Sequence, residues 1–269
     1  MNIFLYIIIF MIGTLFGSFY TLAVYRIPRK LDITHEHSFC PNCKSKLGFL
    51  ELIPILSYLI LGGKCKHCGQ KIRKRYLILE VTSGIALVLL AWVMQINVYT
   101  LTINKIIEFA FLVLYLVAIF LIAGIDLEKR EIEKSVIYYA IWIGIANIIY
   151  IWIMDNTSIY RYAMYLIAIV IVLIIDNHHL KKYAKNSYTI SILLLLMIMA
   201  IFTGEYVVIN TAVITFLAIA MYIIAVKIKR KLNKARIETK EISPNLRIGF
   251  YLCISNVLTL LIAIYLISR

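Results

Sequence analysis

The chain has 269 residues, 62% of them hydrophobic, with a mean hydropathy of +0.90. A soluble globular domain is nearer half apolar, so this composition excludes one and indicates a membrane protein. A net charge of +14 would suggest nucleic acid in a soluble protein, but here the placement of the cations accounts for it without such a partner.

Eight apolar runs approach the roughly 20 residues that a helix needs to cross the hydrocarbon core. In chain order they are 2–22, 77–96, 106–125, 135–154, 163–175, 189–203, 207–226 and 248–267. The expected fold is an all-α polytopic membrane protein of about eight transmembrane helices. The first run lacks a basic start and a small-residue cleavage site, and Arg26, Arg29 and Lys30 follow it. It reads as a retained span, not a cleaved leader. Alternate connections hold 25 of the 28 Lys and Arg; only Lys105, Arg161 and Arg269 lie on the other side. Positively charged loops stay in the cytoplasm, so both termini should face outward and the protein should sit in the inner (cytoplasmic) membrane. The surplus cations would also favour anionic headgroups of the lipid bilayer.

Three blocks follow. Residues 1–76 hold one span and a loop rich in turn residues, among them Gly48, Pro54, Gly62, Gly63 and Gly69. Residues 77–226 form the helical bundle, and 227–269 a basic cytoplasmic segment with the last helix. The loop carries Cys40-Pro-Asn-Cys43 and Cys65-Lys-His-Cys68. Each C-x2-C pair puts two thiolates on one tight turn, and two such turns complete a tetrahedron around Zn²⁺. The reducing cytoplasm argues against disulfides; a redox pair or an iron–sulfur centre is the competing reading. Four thiolates leave no open position, so zinc here would be structural and would fold a loop too small for its own core. Cys253 lies in the last apolar run and reads as packing, and His67 as a turn residue.

The chain has four aspartates: Asp32, Asp126, Asp155 and Asp176. An ionisable group at a membrane-helix end is costly to desolvate and is a functional candidate. Asp126 ends the third run and Asp176 the fifth, both on the cytoplasmic side. Two carboxyl groups brought together can share a proton, one activating water and the other polarising a peptide carbonyl. Alternatively, each simply marks a helix end. His178 and His179, beside Lys181 and Lys182, read as a polar loop. Glu80, near Arg73, Lys74 and Arg75, reads either as an interfacial ion pair or as a polar group in a substrate or cofactor pocket. Glu108 and Glu205 need no role. The chain has no G-x-S-x-G, H-E-x-x-H or Walker motif.

The first 80 residues resemble the amino-terminal half of the prepilin leader peptidase/N-methyltransferase family. The resemblance rests on Phe16-Gly-Ser-Phe19, Tyr25-Arg-Ile-Pro28 and Ser38-Phe-Cys-Pro-Asn-Cys43. It continues through Leu52-Ile-Pro-Ile-Leu-Ser-Tyr58, Gly63-Lys-Cys-Lys-His-Cys-Gly69, Arg75-Tyr76 and Glu80. It implies an eight-helix membrane aspartic endopeptidase that removes the leader of type IV prepilins or pseudopilins at the cytoplasmic face. It also implies a second activity, methylation of the new amino terminus with S-adenosylmethionine, in the amino-terminal half. Asp126, with Leu127 and Glu128, fits the start of the first family aspartate motif, although Glu133 stands where a proline is usual. The second family motif, G-x-G-D-x-K, is replaced by Lys185-Asn-Ser-Tyr-Thr189, and Asp176 in the same connection is nominated as the second acid. After the first run, Tyr20-Thr21-Leu22 stands where the family has an asparagine. The expected partner is the amino-terminal helix of a prepilin or pseudopilin, its basic leader guided by Glu128, Glu131 and Glu133. The alternatives are a catalytically degenerate relative that binds or assembles pilins, and a methyltransferase without peptidase activity.

Overall fold

The computed structural model describes residues 2–35, 37–99, 101–155, 159–183, 187–233 and 246–268. Among them, α1 spans Asn2–Arg26, α2 Leu56–Ile60, α3 Arg75–Val93, α4 Ile103–Lys129 and α5 Lys134–Asp155. The chain continues with α6 at Ile159–Tyr183, α7 at Tyr188–Thr203, α8 at Glu205–Asn233 and α9 at Ile248–Ile267. No strand occurs among the described residues, only two isolated bridges in the loop between α1 and α3. The expected all-α class therefore holds.

Among the described residues, seven helices are long and apolar enough to cross a membrane. The helix over the sixth run, α7, has 16 residues, or about 24 Å at 1.5 Å per residue, short of the ~30 Å hydrocarbon core. Gly204 ends it at φ +79°, donating its N–H to Ala200 O. The fifth run grows in the opposite sense. No glycine or proline interrupts residues 159–183, and helix α6 continues through the charged stretch after the apolar window ends. His178 and His179 are therefore helical, which corrects their reading as a polar loop. Likewise α8 carries Lys227 and runs to Asn233; residues 234–245 of the basic segment lie outside the described residues.

The chain divides into two compact units. One is Met1–Leu121 with Ile264–Arg269; the other is Ile122–Ala263. In the first, α1 packs along α3 at a separation that glycine sets. A Cβ on Gly13 would lie 2.7 Å from Gly84 Cα, and one on Gly17 would lie 2.5 Å from Glu80 Cα. Two glycines four residues apart share a helix face, so their row lets the backbones approach, as small residues do between membrane helices. The Ser83 hydroxyl then reaches across to Gly13 O at 2.7 Å. Tyr20, fully buried, stacks on Phe120.

In the second unit α7 packs against α5, α6 and α8, with Leu195 and Ile198 buried at its centre. A polar seam joins α8 to α9: Thr211 and Thr259 share a hydrogen bond of 2.7 Å, and Asn256 Nδ2 donates to Thr211 Oγ1 at 3.2 Å. Such bonds between helices hold pairs together where burial from water cannot.

Candidate metal, cavity and acid sites

The two cysteine turns of the first unit are built alike. Cys40 N–H donates to Ser45 O and Lys44 N–H to Cys40 O; Cys65 N–H donates to Gln70 O and Gly69 N–H to Cys65 O. Lys44 and Gly69, each following its second cysteine, hold positive φ of 60° and 67°, so the chain turns back and both thiols face one point. The sulfurs of Cys40, Cys43, Cys65 and Cys68 all lie within 4.8 Å of one another, and Cys40 Sγ is 3.9 Å from Cys68 Sγ. A tetrahedron with Zn–S bonds of about 2.3 Å has sulfurs about 3.8 Å apart, so the four thiols fit zinc. The Ser45 hydroxyl holds the Cys43 thiol down at about 6, while burial raises that of Cys40 to about 11. Asn42 Nδ2, 3.6 Å from Cys68 Sγ, ties one turn to the other. His67 stays outside the cluster, with Nε2 at 3.6 Å from Glu51 Oε1. Cys253 is buried and belongs to packing, as expected.

Beside the cysteine turns lies a cavity of about 420 Å³, walled by α1, α3 and the loop between them. Leu15, Phe19, Leu22 and Leu61 supply apolar wall; Ser18, Glu51, Lys66 and Glu80 supply polar groups. Glu80 is buried. Its Oε2 accepts the Ile55 N–H at 2.7 Å. Glu80 thus faces the cavity and a backbone amide, in line with the polar-pocket reading and not with the interfacial ion pair. Ile55 adopts φ +62°, a conformation costing a β-branched residue roughly 1–3 kcal/mol, and that conformation holds its N–H on Glu80. Glu51 Oε2 accepts the Gly48 N–H at 2.7 Å, which holds its carboxyl below the usual range. Its Oε1 is buried and has no hydrogen-bond partner. Arg26, also buried, donates to Asp32 O and His37 O and lies over the Phe39 ring, so its guanidinium pins the loop. Thr21, within the Tyr20-Thr21-Leu22 stretch where the resembled family has an asparagine, donates to Ser18 O. Asp32 caps its own turn through Thr34 and His35 N–H.

The two nominated acids both lie in the second unit. Asp126, in the last turn of α4, is 0% exposed, and Asp176, in α6, is 3% exposed. No hydrogen bond joins them: each carboxyl group has its own partners. Asp126 Oδ1 accepts the Tyr188 hydroxyl at 2.8 Å, and Oδ2 accepts the Phe250 N–H at 2.8 Å. The Tyr188 oxygen in turn accepts the Gly249 N–H at 3.0 Å. A Cβ on Gly249 would sit 3.1 Å from Asp126 Oδ2, so the residue packs tightly on the carboxyl group. Asp176 Oδ2 pairs with Lys134 Nζ, and its Oδ1 is buried without a hydrogen-bond partner. Tyr188 is the functional candidate that sequence reading missed. It stands in the stretch where the resembled family carries its second aspartate, and a tyrosine in an apolar helix gives no signal of its own. Side chains of Asp155 and Lys181–Lys182 lie outside the description. Glu205, given no role above, accepts the Tyr165 hydroxyl.

Fold and site together define a polytopic helical membrane protein with a four-cysteine metal knuckle beside a cavity. Residues 11–94 match the family described as Bacterial Peptidase A24 N-terminal domain. Similar proteins include the prepilin leader peptidase/N-methyltransferase of Vibrio cholerae, 32% identical over 144 residues, which is 50% of this chain and 53% of that protein. The namesake from Bacillus subtilis is 46% identical over 77 residues, 29% of this chain and 31% of that one. That from Neisseria gonorrhoeae is 28% identical over 158 residues, 50% and 52%. The similarity to the prepilin leader peptidase/N-methyltransferases is concentrated in the amino-terminal part of the chain. The matches span about half or less of the length of these relatives. No solved structure matches it.

Proposed function

We propose that this protein is a membrane-embedded aspartic endopeptidase that removes the leader of a prepilin or pseudopilin at the cytoplasmic face of the inner membrane. Methylation of the new amino terminus would follow. The supporting observation is the pair of buried acids, Asp126 and Asp176, in an apolar bundle, where ionisable groups are rare and mark functional sites. Asp176 Oδ1, a buried acceptor without a hydrogen-bond partner, is suited to receive a proton from water. Asp126, fixed by Tyr188 and Phe250, would serve at the scissile carbonyl. Zinc on Cys40, Cys43, Cys65 and Cys68 would hold the loop in shape, leaving no ligand position for substrate.

A second reading draws on the same contacts: both Asp126 oxygens already accept hydrogen bonds, as would suit a relative that binds or assembles pilins without cutting them. Purified wild-type protein, Asp126→Ala and Asp176→Asn are to be incubated with a prepilin in lipid. Leader removal by wild type alone is the expected result. Full activity in both variants refutes the acid pair, and an inert wild type leaves the non-catalytic reading.

A further inference from the structure

The loop between α1 and α3 has an outer edge that neither the knuckle nor the cavity uses. Residues 48–63 carry a single charged side chain, Glu51. Its carboxylate is turned inward, accepting the Gly48 N–H and lying 3.6 Å from His67 Nε2. Helix α2 is divided lengthwise. Ser57 and Tyr58 line the cavity, while Leu56, Leu59 and Ile60, spaced as one helix face, are exposed. With Phe49 and Leu50 they are 54–83% exposed. An apolar stretch of roughly 10–14 residues is too short to span; where its side chains are not buried in a core, it is a re-entrant or interfacial segment.

The packing of the first unit places this edge at membrane depth. Its inner side meets Leu15, Ser18, Phe19 and Leu22 of α1 across the cavity. Ile55 bonds to Glu80, whose Cα lies against Gly17. Gly17 is nine residues before Arg26, and Glu80 six after Lys74. Those are about 14 Å and 9 Å along the helices at 1.5 Å per residue, within the near half of a ~30 Å hydrocarbon core. Irregular backbone at that level needs its own hydrogen-bond partners, and this segment has them. The N–H groups of Glu51, Leu52, Leu56, Ser57 and Leu59 bond within the loop, Ile55 uses Glu80, and Pro54 has no N–H to satisfy. Lys44, Lys46, Lys64 and Lys66, all exposed, flank the stretch. We propose that residues 49–60 dip into the bilayer leaflet at the Arg26 end of α1, with the flanking lysines on anionic headgroups. A lysine rim attracts such a surface, whereas it opposes the basic leader of a prepilin and the same rim on a second copy. The edge is independent of the peptidase reading.

Photo-crosslinking tests this on the full-length, zinc-loaded protein in nanodiscs of phosphatidylethanolamine and phosphatidylglycerol, and it needs no cleavage. p-Benzoylphenylalanine replaces Leu50 or Ile60, whose exposure lets them accept a larger ring, and mass spectrometry identifies what the probe captures. The same probe at Ile174, exposed within an apolar span, is the lipid control. At Gln70, exposed beside the second cysteine turn, it is the aqueous control. Lipid adducts at Leu50 and Ile60 should match the yield at Ile174 and exceed that at Gln70 several-fold. Phosphatidylglycerol should be enriched among them over its share of the bilayer. Lys46→Gln combined with Lys64→Gln, both surface changes, should lower that enrichment a few-fold. Three results would overturn the proposal: no lipid adduct at either position while Ile174 reacts, capture of a second copy or of added prepilin in place of lipid, or a phosphatidylglycerol share that the lysine variant leaves unchanged.

Discussion

Gly17→Ala tests the packing on which the cavity depends. The added methyl would meet Glu80 Cα at 2.5 Å and Leu79 O at 2.8 Å, both backbone atoms that cannot rotate away. Ordinary contact begins near 3.4 Å, so α1 and α3 must part locally by about 0.9 Å. The bond from Ser83 Oγ to Gly13 O, now 2.7 Å, would then stretch beyond useful length. Overpacking of this kind costs about 1–3 kcal/mol, and an interhelix hydrogen bond in a membrane protein adds about 0.6 kcal/mol. Alanine recovers roughly 0.5–1 kcal/mol of helix propensity, leaving a net loss of roughly 1–3 kcal/mol. Gly144→Ala is the control: its Cβ would make only contacts of 3.6 Å, so it should be neutral or slightly stabilising. Equilibrium unfolding in mixed micelles, followed by circular dichroism, measures the difference. If Gly17→Ala is as stable as Gly144→Ala, the close approach of the two helices is wrong.

Three further outcomes follow from single contacts. Lys134→Met leaves Asp176 buried without its cation and should cost roughly 3–5 kcal/mol; adding Asp176→Asn should recover much of that loss, and no recovery would mean that the pair is not the source. Tyr188→Phe removes one donor from Asp126 and orphans the Gly249 N–H. It should lower the turnover of prepilin cleavage about tenfold with KM unchanged, and unaltered turnover would show that Tyr188 does not position the acid. Metal analysis of purified protein should find one zinc per chain, and a strong chelator should make the loop between α1 and α3 protease-sensitive while helix content stays constant. Iron, or a disulfide between the cysteine pairs, would refute the knuckle as a zinc site.

The one-dimensional pattern carried the class of the fold, because a bilayer accepts few solutions and a run of apolar residues states one of them directly. It also carried the metal cluster, since two C-x2-C turns bring their own local geometry and need only meet. Helix ends were less legible: α6 runs on past its apolar window because nothing in Asp176–Tyr183 breaks a helix, and hydropathy does not register that. Asp126 and Asp176 were visible as rare charges in apolar surroundings, but their partners were not.

Only the tertiary structure decided that Asp126 meets Tyr188 and the Phe250 N–H, that Asp176 pairs with Lys134, and that Gly17 brings Glu80 against the loop. Those contacts join residues 25 to 124 positions apart. At such separations the choice of neighbour depends on how whole helices pack, and no local period or spacing records it. Composition and short-range spacing determined that this chain enters a membrane and gathers four thiols. Packing determined which partner each buried carboxyl group meets, because that depends on how whole helices come together.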